Sequence, residues 1–183
     1  MSAEEKIWNY LLGKLKNPYG VAAIMGNLMA ESSLDPHSVT GSKNRKTYVS
    51  DADSGKIDFV HDGCAFGLVQ WCYWSRKRDL LAYAKSKLSS VGDLNTQLAY
   101  MVQEIQKYKP VYNSVINSKD IREISDLVLH KYERPANQSE AVEKKRANYA
   151  QKFFDEYNKT DNVKPKASRN IWESVMKALK EEL

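Results

Sequence analysis

The sequence predicts a mainly α fold of about seven helices, with a small β-hairpin lobe inserted after the second helix. Three observations carry this. Apolar residues recur at helical spacing through most of the chain. Residues 37–63 lose that spacing and fill with Ser, Thr, Asp, Asn, Gly and Lys. The length, 183 residues, suits one domain with room for an appendage.

The first helix starts at Ser2, with Glu5 completing a capping box, and buries Ile7, Trp8, Leu11, Leu12 and Leu15. Gly13 slightly weakens it. Asn17 caps the second helix and Pro18 fits its first turn. Val21, Ile24, Met25 and Leu28 form its apolar stripe. Gly20, Ala22, Ala23, Gly26 and Ala30 fill its other sides, which predicts close neighbours on several faces. Glu31 falls on the stripe of Ile24 and Leu28. Asp35-Pro36 then stops the helix.

Glu31 is the first candidate for chemistry. Burial among apolar groups and the negative end of the helix both favour the protonated acid. That form protonates a leaving group in glycosidic cleavage. A plain structural alternative, a glutamate paired with an Arg or Lys at the helix end, stands beside it.

In the polar stretch, Lys46–Val49 and Ile57–Val60 are expected as short strands, with turns at Thr40-Gly41-Ser42 and Asp53-Ser54-Gly55. The stretch also holds Asp51, Asp53, Asp58 and Asp62, candidates for a second carboxylate. Residues 63–76 follow, with Gly63 and Gly67 allowing close backbone approach and Gln70, Trp71, Tyr73 and Trp74 behind them. Amides and aromatic rings suit a sugar-binding cleft; the same residues also suit an aromatic-rich core segment.

The remainder reads as helices. Ser75 caps one carrying Leu80, Leu81, Ala84 and Leu88. Asp93 caps the next, with Leu98, Met101 and Ile105 inward. Pro110 begins a short one. Asp120 caps another with Ile121, Ile124 and Val128, and Glu133-Arg134-Pro135 breaks it. A last helix runs from about Ser139 to Tyr157. Residues 1–157 form the domain and 158–168 a linker. Residues 169–183 form an amphipathic helix, with Ile171, Trp172, Val175, Met176 and Leu179 on one face. A helix this short needs a partner.

Net charge is +5 and the pI about 9.0, which favours polyanionic partners. The basic residues are spread through helices and match no nucleic-acid-binding motif, so nucleic acid is not the expected partner. Cys64 and Cys72 are expected as free buried thiols, and with the scattered histidines they make no metal set. No membrane span and no secretory signal are read.

The ordered set of segments resembles the lysozyme superfamily, and more closely the phage tail lysozyme family of phages infecting Gram-positive bacteria. Members show Ile-x-Gly-Asn-Leu-x-x-Glu-Ser, then Phe-Val-x-Asp, then Tyr-Gly-Leu-x-Gln-Trp-x-Tyr-x-Ser-Arg-Lys, and later Glu-Arg-Pro. Here these stand as Ile24 to Ser32, Phe59 to Asp62, Phe66 to Lys77, and Glu133 to Pro135. The resemblance covers roughly residues 5–157, with Phe66 replacing the family's tyrosine.

The resemblance implies a lysozyme-like α+β fold and cleavage of the β-1,4 bond between N-acetylmuramic acid and N-acetylglucosamine in peptidoglycan. It implies Glu31 as general acid and Asp62 as first choice for the second carboxylate, ahead of Asp53 and Asp58. Gln70, Trp71 and Tyr73 would line sugar subsites. His61 would hold Asp62 or contact substrate, and Tyr132 and Glu133 would close the cleft. No metal or organic cofactor is implied. Phage tail proteins or a C-terminal wall-binding module are the implied protein partners, and the virion or host cytoplasm the implied location before action at the wall. If no carboxylate faces Glu31, a lytic transglycosylase route remains. A wall-binding module without turnover is the alternative to both.

Overall fold

The computed structural model describes residues 1–41 and 46–158. Eight α-helices and one π-helical turn account for the regular structure among them. They are α1 (Ala3–Leu15), α2 (Pro18–Ser32), α3 (Tyr48–Asp53), α4 (Trp74–Ser86) and α5 (Leu94–Lys107). Then follow α6 (Lys109–Asn117), α7 (Ile121–Leu127), the π turn (Val128–Glu133) and α8 (Glu140–Tyr157).

Helix α2 is the centre. It packs on α1, α6, α7, the π turn and α8, and every residue from Gly20 to Leu28 is buried. Its composition explains this: small residues between the apolar ones let neighbouring backbones come close on several sides. A Cβ on Gly26 would lie 2.5 Å from the Arg146 carbonyl oxygen and 2.7 Å from the Ala150 Cβ on α8. One on Gly20 would lie 1.9 Å from the Val115 carbonyl oxygen on α6. The Asn17 cap also holds α6, because its Nδ2 donates to the Val115 and Ser118 carbonyls, each at 2.8 Å.

The expected caps at Ser2, Asn17, Asp93 and Asp120 form, each accepting from a backbone N–H of the first turn. Ser75 does not cap α4; that helix begins one residue earlier, at Trp74, without a side-chain cap.

The expected β-hairpin is corrected. No strand forms among the described residues, only isolated bridges pairing Val39 with Phe66 and Phe66 with Trp71. Tyr48 and Ala52 are both buried from one face of α3, as an i,i+4 pair requires. Tyr48, Phe59 and Phe66 make an aromatic cluster with centroids 5.3 to 6.1 Å apart. Burial of that one face outweighed the β preference of Tyr48 and Val49. The expected linker and terminal amphipathic helix lie, apart from Asn158, outside the described residues.

The glycine contacts set up a contrast for mutation. Gly26→Ala should destabilise by about 1–3 kcal/mol, because overpacking against α8 backbone outweighs the gain in helix propensity. Gly13→Ala, with nothing within 4 Å of the added carbon, should stabilise by about 0.5–1 kcal/mol. Urea unfolding of both variants checks the pair.

Candidate active site

Glu31 sits in the last turn of α2, its side chain 16% exposed. It is not lodged among apolar groups alone: the pairing with an arginine at the helix end, weighed beside the acid role, is present. Arg146 of α8 donates to its Oε1 in a short, charge-assisted hydrogen bond. Arg146 is itself buried, and its Nη1 donates to Asn27 Oδ1 at 3.0 Å. Asn27 is fixed in turn: its Nδ2 donates to the Ala23 carbonyl at 3.0 Å and to Ser125 Oγ at 3.2 Å. Asn27 and Glu31, one helical turn apart, therefore grip one guanidinium. Ser33 and Leu34 then take left-handed backbone and end the helix.

The segment after Gly67 is tied to this helix end. Ser32 Oγ donates to the Leu68 carbonyl at 2.9 Å. Buried Gln97 of α5 accepts from the Leu68 N–H at 2.9 Å and donates to the Pro36 and Val91 carbonyls, each at 2.7 Å. Gly67 is at φ +75° against Gln97, where a Cβ would come within 2.6 Å of its amide oxygen. Here both the backbone conformation and the space require glycine.

Beside this lies a second buried carboxylate, Glu104 of α5. It accepts from Trp71 Nε1 at 2.9 Å, Tyr132 Oη at 2.7 Å, and Arg76 Nε and Nη2 at 2.7 and 2.8 Å. Burial pushes its carboxyl up, but Arg76, Trp71 and Tyr132 outweigh this and hold it below the ordinary glutamate range. Trp71 and Tyr132 are thus core residues, 0% and 2% exposed. Trp71 is expected from the sequence to line a sugar subsite and Tyr132 to close the cleft; in the structure both rings instead pack inside and their polar atoms bind Glu104.

Glu133, the last residue of the π turn, is half-buried. Its Oε1 is enclosed and has no hydrogen-bond partner, as has Arg146 Nε. Burial first, then the negative charge of Glu31, push the Glu133 carboxyl well above its ordinary value, against the opposing pull of Arg76 and Arg146.

Asp62 is engaged elsewhere. Its carboxylate accepts from Lys77 Nζ at 2.5 Å, Tyr48 Oη at 2.6 Å and the Cys64 N–H at 2.9 Å. Its side chain is 4% exposed, and that of Lys77 is fully buried. Burial raises its carboxyl, yet these three donors outweigh it and leave Asp62 below the ordinary aspartate range. The other aspartates of the stretch are also engaged. Asp51 pairs with Lys56 at 3.1 Å. Asp53 accepts from Ser90 Oγ at 2.5 Å and the Val91 N–H at 2.9 Å. Asp58 pairs with His61 at 3.1 Å. His61 therefore turns to Asp58, not Asp62.

Gln70 is half-buried at φ 52°, and its Nε2 donates to the Gly67 carbonyl at 2.8 Å. Tyr73 and Trp74 are the exposed aromatics of the segment, at 60% and 44%. His61 stacks on Trp74 with centroids 6.2 Å apart, and the Arg78 guanidinium lies 5.2 Å from the Trp74 centroid. Both cysteines are free; Cys64 is buried as expected, but Cys72 is exposed. Among the described residues no three His, Cys, Asp or Glu side chains cluster to hold a metal, and no helix is long and apolar enough to cross a membrane.

Sequence reasoning missed Arg146, Glu104, Arg76 and Lys77. Asn27 was within reach, since a polar residue four before Glu31 shares its helix face. Arg146 lies 115 positions from Glu31, and nothing local marks it.

A helical domain with an arginine-held glutamate at the end of its central helix, and a glycine-rich aromatic segment tied to that end, defines a lysozyme-type protein. The chain belongs to the phage tail lysozyme family, whose sequence model matches residues 2–157. No curated protein matches it. Membership makes it a lysozyme-like, cell-wall-lytic enzyme with peptidoglycan as substrate, acting in association with phage.

The Asp62–Lys77 pair gives a test of its structural part. Asp62→Asn leaves a buried ammonium without its carboxylate and should cost about 3–5 kcal/mol at neutral pH. An aspartate lowered on folding stabilises above its ordinary value of 3.8 and loses this as pH falls through its lowered one. The gap between variant and wild type should therefore narrow in acid. Urea unfolding at pH 7 and pH 3 measures it.

Proposed function

We propose that the chain is a muramidase, cutting the β-1,4 bond between N-acetylmuramic acid and N-acetylglucosamine, with Glu31 as general acid. The observation that carries this is the fixed position of Glu31. Arg146, itself fixed by Asn27, holds its carboxyl at the end of α2, next to the segment that presents Gln70 and Tyr73. Glu31 gives its proton to the glycosidic oxygen as the bond from C1 breaks. Water then attacks C1 and returns a proton to the carboxylate. The exposed rings of Tyr73 and Trp74 offer stacking faces for pyranose rings, with Gln70 and His61 as polar contacts. Asp62 supports this reading as the anchor of the loop before Gly63, where Lys77 already neutralises it, rather than as the carboxylate facing the sugar.

One observation favours a second reading. Asp51, Asp53, Asp58 and Asp62 are all engaged in the protein. A single-acid lytic transglycosylase needs none of them. There the muramic C6 hydroxyl attacks C1 in place of water and leaves a 1,6-anhydro product. Deployment on the tail or as an endolysin fits either chemistry.

Digestion of purified peptidoglycan by wild type and Glu31→Gln, with products identified by mass spectrometry, tests both. Reducing-end muropeptides that fall by at least about a hundredfold in the variant are expected. Products lighter by one water would assign the transglycosylase. Equal turnover by the two proteins would sink Glu31 as the acid.

A further inference from the structure

Residues 134–139 join the π turn to α8 with no regular structure of their own. Arg134 opens this loop in left-handed conformation, its N–H donating to the Leu129 carbonyl at 2.8 Å. The far end of the loop is held by one half-buried side chain of the π turn, His130. Its Nδ1 lies 2.8 Å from Gln138 Oε1 in the loop, and its Nε2 lies 2.8 Å from Glu143 Oε1 in the first turn of α8.

Both of these oxygens are acceptors, and each is fixed in that role. Glu143 Oε2 accepts from Arg122 Nη2 at 2.6 Å, which keeps the group a carboxylate. Gln138 Nε2 donates to the Pro135 carbonyl at 3.0 Å, so its Oε1 must point to the ring. A turned amide would set oxygen against that carbonyl. A neutral imidazole has one N–H and one lone pair, so it satisfies one of the two acceptors and faces the other with a lone pair. The imidazolium, with two N–H groups, satisfies both.

The charges around the ring agree with this. Glu123, Asp126 and Lys131 line one surface groove with His130, and Glu143 and Arg122 complete the cluster. That makes three carboxylates to two cations. Arg122 is divided between Asp126 Oδ2 and Glu143 Oε2, each at 2.6 Å. A proton on His130 supplies the third positive charge. The hydrogen bonds to Gln138 and Glu143 raise the imidazole above its ordinary range, against a smaller opposing effect of burial.

We propose that His130 is a pH-sensitive clasp. Protonated, it locks the 134–139 loop and the first turn of α8 to the π turn; neutral, it releases one of them. The clasp is independent of the reading of Glu31 as the acid. Its reach toward the site is mechanical. Arg146, which holds Glu31, lies one helical turn beyond Glu143 on α8, and Tyr132, which donates to Glu104, shares the π turn with His130.

Imidazole 15N NMR reads the clasp directly, with His130→Gln identifying the His130 signals among the three histidines. Both ring nitrogens should carry protons at pH 6, and the titration midpoint should lie above 6.5. It should fall back toward 6.5 in Glu143→Gln and in Gln138→Ala, and the amide signals of Asn137, Gln138 and Ser139 should shift at the His130 midpoint in wild type. A midpoint at or below 6.5, one unchanged in both variants, or loop amides that ignore it overturns the clasp. Thermal unfolding gives an independent measure. An imidazole raised on folding stabilises fully below its ordinary 6.5 and loses this as pH rises through its raised value. Glu143, lowered chiefly by His130, stabilises above its ordinary 4.5 and loses this as pH falls through its lowered value. Wild type should therefore exceed His130→Gln by about 1–4 °C in Tm at pH 5 to 6, and the gap should close by pH 9. A gap that stays constant from pH 6 to 9 marks a merely structural side chain and overturns the proposal. Gln138→Ala alters only the surface loop, so the NMR comparison does not depend on how His130→Gln folds at the extremes of pH.

Discussion

The close contact between α2 and α8 is what the rest of this protein depends on. Gly26 lets the α8 backbone come so near that no side chain fits between. That approach brings Arg146 within reach of both Asn27 and Glu31. A guanidinium presents a rigid fork of donors, so it fixes two partners at once where an ammonium would act as a point charge. The position of Glu31 is therefore a consequence of helix packing. Its own helix supplies only the acceptors.

Around this contact the protein uses buried charge to hold loops. Asp62 with Lys77 anchors the turn before Gly63, and Glu104 with Arg76 anchors the start of α4 and the π turn. Ion pairs of this kind are weak sources of net stability, because desolvation offsets most of the attraction. What they do here is select one arrangement of irregular backbone. Among the described residues of 33–73 there is one short helix and little else that is regular, so side-chain hydrogen bonds replace the ladder a sheet would have provided. Gln97 shows the same economy with no charge at all, bridging Pro36, Leu68 and Val91.

The aromatic segment divides along this logic. Trp71 turns inward to Glu104, while Tyr73 and Trp74 stay on the surface. Residues two apart in an irregular segment thus serve opposite purposes. A wall-degrading enzyme must meet a long, stiff polymer, and exposed rings on a firmly held backbone are suited to that. Family membership settles the broad activity.

Much of this could be read in the sequence. Helix periodicity, four of the caps and the burial of α2 are local properties, carried by spacing along a single helix. So was the ordered set of motifs that pointed to the family. Other features were decided only by tertiary structure. Val39 pairs with Phe66 but no hairpin forms among the described residues, because the burial of Tyr48 and Ala52 on one face of a helix competed successfully with local β preference. Trp71 and Tyr132 became scaffold and Asp62 became an anchor because Glu104 and Lys77 lay opposite them, from helices the sequence places far away. Whether a polar side chain meets water, substrate or a buried counter-charge depends on its long-range partner, and no local pattern encodes which partner that is.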